Sequence, residues 1–181
     1  GFSVARNGRV AFVRNSTASP GDVAVTDARG KGVRTLTTLN ADLLGHKTLG
    51  KVERLTWQSS ADQREIEGWL VTPPQFDASR QYPLILEIHG GPFTAYGPNF
   101  SVEIQRYAAA GYCALVPDLY RGKSTVEAAE AEHLMTGLNF GDAAGQDVRG
   151  AVRYLKARCA KVGVTGYCMG GALTLLAMVH V

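Results

Sequence analysis

The segment Val162-Gly163-Val164-Thr165-Gly166-Tyr167-Cys168-Met169-Gly170-Gly171-Ala172 constrains this chain more than any other. Lys161 to Gly166 reads as a strand, and the apolar run Met169 to His180 has the length of a helix. Only Tyr167 and Cys168 separate the two. So short a turn strains the backbone at Cys168 and brings the residues two before and two after it close together. A side chain at either place would clash, and glycine stands at both, Gly166 and Gly170. Gly171 lets the helix pack closely. The pattern is G-x-C-x-G, the cysteine form of G-x-S-x-G, whose middle residue is a nucleophile raised on a strand-to-helix turn. Cys168 is therefore the candidate catalytic residue. Its sulfur lies at a helix N-terminus, where free N–H groups and the positive dipole end favour negative charge. The backbone N–H of Met169 points at a developing oxyanion.

Upstream, strands and helices alternate. Glu65 to Val71 alternates as a strand and stops at Pro73-Pro74, and Pro83 to Ile88 is a nearly continuous apolar run, as in a buried parallel strand. Ser101 to Ala110 has helical spacing, Tyr112 to Val116 is a strand, and Ser124 with Glu127 forms a capping box for a helix to about Met135. Asp142 to Arg158 is the clearest helix, with Val148, Ala151, Val152 and Leu155 on one face and Arg149, Arg153 and Lys156 on the other. This order predicts an α/β fold with a mostly parallel, doubly wound sheet over residues 48–181. Residues 1–47 differ. They hold short β-like runs, Arg9 to Arg14 and Asp22 to Thr26, around a Ser19-Pro20-Gly21 turn, and read as a β-rich segment of a larger unit or an appendage.

Composition narrows the class. With 45% apolar and 19% charged residues the chain can bury a core. A formal net charge of +3 without a basic cluster argues against nucleic acid, and no stretch approaches a membrane span. The three cysteines show neither metal spacing nor an even disulfide framework, so no metal or other cofactor is expected, and a reduced, cytoplasmic setting is the starting assumption.

A second motif, His89-Gly90-Gly91-Pro92, follows the apolar strand directly. In the α/β-hydrolase fold the loop at this place supplies the other oxyanion N–H, here that of Gly91. His89 is expected to be structural, because the base normally follows the nucleophile in the chain. Cys113 reads as core and Cys159 as a helix end. Asp118 closes a strand where polar residues can line a site, and His46 and His133 belong to no pattern.

Residues from about Leu55 to Gly111 resemble the prolyl oligopeptidase family. The residues that carry it are Glu67-Gly68-Trp69-Leu70, Tyr82-Pro83-Leu84-Ile85-Leu86-Glu87-Ile88-His89-Gly90-Gly91-Pro92, Tyr96-Gly97-Pro98 and Tyr107 to Tyr112. That resemblance implies a β-propeller before the hydrolase domain, and residues 1–47 look like its last blade. From Gly111 to Ala177 the chain resembles the dienelactone hydrolase family instead, through Val116-Pro117-Asp118-Leu119-Tyr120, Arg121-Gly122-Lys123, Asp147 to Leu155, and above all Val162 to Ala172. A cysteine nucleophile is that family's mark. The chain thus reads as a join of the two families at Gly111-Tyr112. It departs from the dienelactone hydrolases in carrying no acid in the loop after the third strand, where Glu87 lies inside the strand instead.

The expectation is a hydrolase of the dienelactone hydrolase type that opens ester or lactone bonds through Cys168. Met169 and Gly91 hold the oxyanion, while Arg121 and Tyr167 face the substrate. In both families the triad Asp and His follow the nucleophile. Thirteen residues follow Cys168 here, and His180 among them lies about 18 Å along the helix axis, at ~1.5 Å per residue. The hydrolase sheet is therefore expected to be incomplete at its C-terminal side, activity to be impaired, and the exposed edge to favour self-association. The alternatives are a peptidase of the prolyl oligopeptidase class acting on short peptides, and a non-catalytic truncated hydrolase.

Overall fold

Alternating apolar residues and tight turns build the first 49 residues into an antiparallel meander. The structure is a computed structural model that describes residues 1–59, 63–91, 97–123, 125, 127–159 and 161–181. The chain divides into two units, Gly1–Leu49 with Pro98–Val102, and Gly50–Gly97 with Glu103–Val181. In the first, strands β1 (Phe2–Val4), β2 (Val10–Ser16), β3 (Ser19–Thr26) and β4 (Arg34–Thr35) pair in sequence order, followed by one helical turn, α1 (Ala41–Leu44). The turn expected at Ser19-Pro20-Gly21 falls at Thr17-Ala18 instead. Pro20 and Gly21 enter β3 beside a register shift between Arg14 and Ser16, and Gly21 has φ +135°. An irregular ladder of this kind admits a proline and a glycine that a regular one would reject.

The second unit is a five-stranded sheet of β5 (Lys51–Gln58), β6 (Glu65–Thr72), β7 (Leu84–Ile88), β8 (Cys113–Pro117) and β9 (Val162–Gly166), in the order β5-β6-β8-β7-β9. The first two strands run antiparallel, and β8, β7 and β9 are mutually parallel. Burial follows the sequence. Every residue of β8 is buried and β7 is buried at Leu84, Leu86, Glu87 and Ile88, as central parallel strands require. β5, at one edge, alternates exposed and half-buried residues.

Helices cover both faces. Helix α2 (Val102–Ala109) sets Ile104 and Ala108 against Val71, Ala114 and Val116. On the other face α3 (Ala128–Thr136) precedes a long helical segment. It begins as α4 (Phe140–Asp142), widens into a π-turn (Ala143–Val148) and ends as α5 (Arg149–Lys156). Its buried stripe of Ala143, Ala144, Val148, Ala151, Val152 and Leu155 meets Leu84, Leu86, Cys113 and Leu115. Helix α6 (Met169–His180) adds Met169, Leu173 and Ala177 to that core. Its other side, with Leu175, Met178 and Val179, is 67–80% exposed, so its apolar sequence outruns its burial here. Ser124, the expected cap of α3, lies outside the described residues, and the N-cap position is Glu127. No helix among the described residues is long and apolar enough to cross a membrane.

Trp57 of β5 shows how tightly the second unit closes. Its ring stacks on Tyr154 of α5 at 6.3 Å and lies over Gly68 of β6, where a Cβ would stand 2.8 Å from the indole and 2.8 Å from the Val116 carbonyl oxygen. Gly145, by contrast, has open space around it inside a helical segment. Gly68→Ala is expected to lower unfolding free energy by about 1–3 kcal/mol. Gly145→Ala is expected to raise it by about 0.5 kcal/mol. Urea titrations of the two variants check the contrast.

Burial, with a smaller contribution from the nearby Cys159 thiol, pushes the Cys113 thiol from its ordinary 9.0 to about 11. The folded chain therefore keeps a proton that the unfolded chain loses. This contribution to stability is complete below about pH 9 and is lost as pH rises toward 11. The urea midpoint should decline across that interval, and Cys113→Val should flatten part of the decline.

Candidate active site

The carboxyl ends of three parallel strands meet at one place. β7 ends in Ile88 and is followed by His89, Gly90 and Gly91; β8 ends in Pro117 and is followed by the loop from Asp118; β9 ends in Gly166 and is followed by Tyr167 and Cys168. Open α/β sheets bind ligands beyond these ends, where neighbouring strands send their chains to opposite faces.

Cys168 is the N-cap of α6, with φ 55° and ψ −121°. A non-glycine residue with positive φ is strained, and the surroundings hold it there. A Cβ on Gly166 would stand 2.5 Å from the Gly170 carbonyl oxygen and 2.9 Å from that of Ile88. One on Gly170 would run into the Ile88 carbonyl and lie 2.7 Å from the His89 oxygen. The Gly170 N–H donates to the Tyr167 carbonyl at 2.9 Å, which closes the turn. Cys168 is exposed, and its Sγ lies 3.7 Å from the Gly91 carbonyl oxygen. Gly90 runs close beside it, since a Cβ there would stand 3.5 Å from Cys168 Cβ and 3.3 Å from the Tyr167 oxygen. Met169 is buried, and Tyr167 is 65% exposed beside the sulfur.

The loop after β8 forms the floor. Asp118 accepts from the N–H groups of Tyr120 at 2.9 Å and Gly122 at 2.6 Å, so one carboxylate shapes the turn. Arg121 takes φ 53° within it. Its Nη2 donates to Asp147 Oδ1 at 3.0 Å and Oδ2 at 3.1 Å, and its Nε to Oδ2 at 3.2 Å. Asp147 is fully buried in the π-turn, whose wider helical spacing presents it to the loop. Tyr120, buried, places its hydroxyl 2.6 Å from where a Gly91 Cβ would stand and 3.7 Å from Met169 Sδ. Its ring lies 5.2 Å from that of His89, whose Nδ1 is 2.6 Å from the Gly90 carbonyl oxygen. Burial, reinforced by Asp118 and Cys168, pushes the Tyr120 phenol up, so it stays a neutral donor. A cavity of about 680 Å³ opens beside this loop, and Tyr120, Arg121, Lys123, His133, Asn139 and Asp142 are among its lining residues.

Cys168, Met169, Gly91, Tyr167 and the Tyr120 loop thus come together. Arg121 comes with them, but its guanidinium is turned to Asp147. Glu87, three residues before Gly90, is fully buried in β7. Pro92 and Tyr96 lie outside the described residues. Sequence reasoning missed Tyr120 as a support of Gly91 and Asp147 as the partner of Arg121. A signal for Asp147 existed: it falls on the apolar stripe of its helix, where a carboxylate needs a buried partner. Among the described residues no group of three or more His, Cys, Asp or Glu could hold a metal ion.

The sheet order and the strand–turn–helix at Cys168 define an α/β-hydrolase fold. Residues 66–181 match the dienelactone hydrolase family, and the chain belongs to that family of α/β-hydrolase enzymes. It is also similar to peptidases. An uncharacterized peptidase, YuxL, of Bacillus subtilis is 36% identical over 83 residues, 46% of this chain. Dipeptidyl-peptidase 5 of Porphyromonas gingivalis is 29% identical over 119 residues, 65% of this chain. The acylaminoacyl peptidase of Pyrococcus horikoshii superimposes over 100% of the chain with a TM-score of 0.75 at 22% identity, which is a likeness of fold. The chain spans 12% and 17% of the length of the two curated relatives and 29% of the solved chain. The family match and the peptidase relatives together bear out the mixed resemblance read from the sequence.

Breaking one side of the Arg121–Asp147 pair strands a buried charge. Arg121→Met and Asp147→Leu are each expected to lose about 3 kcal/mol of stability alone, whereas the two together recover most of it. A double-mutant cycle from urea unfolding measures the coupling.

Proposed function

We propose that this hydrolase cleaves carboxylic esters or lactones through Cys168. The observation that carries the reading is the strained Cys168 backbone at the head of α6, with Sγ exposed beside the Gly90-Gly91 loop. The thiolate attacks the substrate carbonyl, the N–H groups of Met169 and Gly91 receive the oxyanion, and the C–O bond to the leaving alkoxide breaks. Water then cleaves the thioester and releases the acid. Tyr120 supports both oxyanion residues from below. Tyr167 borders the substrate. Arg121 acts on the substrate chiefly through the loop it anchors, since its guanidinium is engaged by Asp147.

The general base in this family is a His later in the chain than the nucleophile. His180 is the one His after Cys168 in these residues and stands three turns down α6. The N-terminal meander is proposed as a β-propeller blade, with residues 48–181 as the catalytic unit. The exposed side of α6 supports self-association, and three free cysteines suit a reduced compartment such as the cytoplasm. A second reading, a peptidase on short peptides, is favoured by the two curated relatives described above, which are peptidases by name.

Reaction with p-nitrophenyl acetate should give a burst of about one nitrophenol per chain, then slow turnover, with the acyl group found on Cys168 by peptide mass spectrometry. Cys168→Ala should remove burst and adduct. A burst that survives in Cys168→Ala would sink the cysteine mechanism. Faster release from a dipeptidyl p-nitroanilide than from the ester would favour the peptidase.

A further inference from the structure

A second cavity, of about 340 Å³, lies at the opposite end of the sheet. Its floor is Leu84 and Cys113, the first residues of β7 and β8, with Leu155 from α5. Gly91 and Cys168 follow the last residues of β7 and β9, so the length of the strands separates the two places. Phe76 and Tyr82 form a wall, their rings 4.9 Å apart. The Tyr82 hydroxyl accepts from the Asp77 N–H at 3.0 Å, which folds the loop between β6 and β7 back on itself.

Two cations border this apolar chamber. The Arg158 guanidinium donates to the Tyr154 carbonyl at 3.0 Å and lies 3.7 Å over the Tyr154 ring. That of Arg80 lies 5.7 Å from the Tyr82 ring. Neither forms an ion pair among the described residues. The Asp77 carboxylate near Arg80 is taken up by the Ser79 N–H and hydroxyl at 2.9 and 2.7 Å. Stacked guanidiniums with spare N–H donors recognise carboxylates by paired hydrogen bonds, while the aliphatic and aromatic lining takes a hydrocarbon body. The volume is that of a small-molecule site.

We propose that this cavity binds a small apolar carboxylate, an aryl or short alkyl acid whose charged end meets Arg158 and Arg80. The site is independent of Cys168 and of the reaction proposed for it. Cys159 lines the cavity beside Arg158 and reports on it from within.

The test uses the full chain with Cys168→Ala, so that ester turnover has no bearing on the result. The alkylation rate of Cys159 by iodoacetamide is followed by peptide mass spectrometry at mildly alkaline pH, with 4-phenylbutyrate, 4-phenylbutanamide or acetate added. The acid should slow alkylation saturably, with half-effect below about 1 mM, and the amide and acetate should not. Arg158→Gln should raise the half-effect concentration about tenfold, and Arg158→Lys should restore part of the loss. Arg153→Gln, on α5 and outside the cavity lining, should change nothing. Equal protection by the amide, protection that survives Arg80→Gln with Arg158→Gln, or no protection up to about 10 mM acid would each overturn the proposal.

Discussion

The carbonyls of Ile88 and His89 lie against the backbone of Gly170, and that contact locks the head of α6 to the end of β7. Backbone packed on backbone leaves no side chain to yield, so the distance between helix and strand is set without adjustable parts. Cys168 has one place to go once this contact forms. The turn from β9 must be completed in two residues, and Cys168 absorbs the strain as a positive φ. The Gly90-Gly91 loop follows from the same contact, because it begins where Ile88 and His89 are held. A helix N-terminus and a glycine loop are thereby brought to one sulfur atom by the packing of main chain alone.

The third strand end is secured differently. In the loop after β8, charge does most of the work. Asp118 gathers two N–H groups, and Arg121 reaches down to Asp147 in the π-turn. This ties the loop under Gly91 to the helix behind the sheet. Tyr120 is carried on that loop, and its hydroxyl fills the space under Gly91 that a methyl group would otherwise need. Asp147, Arg121 and Tyr120 thus form one chain of contacts from the helix to Gly91.

Much of this architecture can be read in the sequence because it depends on local pattern. The apolar runs that become β7 and β8 and the glycines around Cys168 follow from backbone sterics and burial. The bounds of α6, Met169–His180, match the apolar run residue for residue. What escapes such reading is non-local. β5 is missed because an edge strand with one wet face carries a weak signal. The turn at Thr17-Ala18 is misplaced by two residues because Pro20 and Gly21 read as turn formers, whereas a register shift in the ladder admits them to β3. Arg121 reads as a free cation until Asp147 is found facing it. The π-turn is invisible because nothing in the pattern of Ala143–Val148 sets it apart from an ordinary helical turn.

The order of strands in the sheet bears on how the chain emerges during synthesis. β7 is central, yet both its neighbours come later: β8 from residues 113–117 and β9 from residues 162–166. β6 likewise waits for β8 and skips its successor. At ~5–20 residues per second, roughly 80 residues of further translation separate the appearance of β7 from that of β9, an interval of about 4–16 s. Throughout that interval Leu84-Ile85-Leu86-Glu87-Ile88 presents an apolar strand with at least one open ladder edge, the form most prone to pair with another nascent chain. Expression yield should therefore depend on chaperone supply and ribosome spacing as much as on the stability of the finished fold.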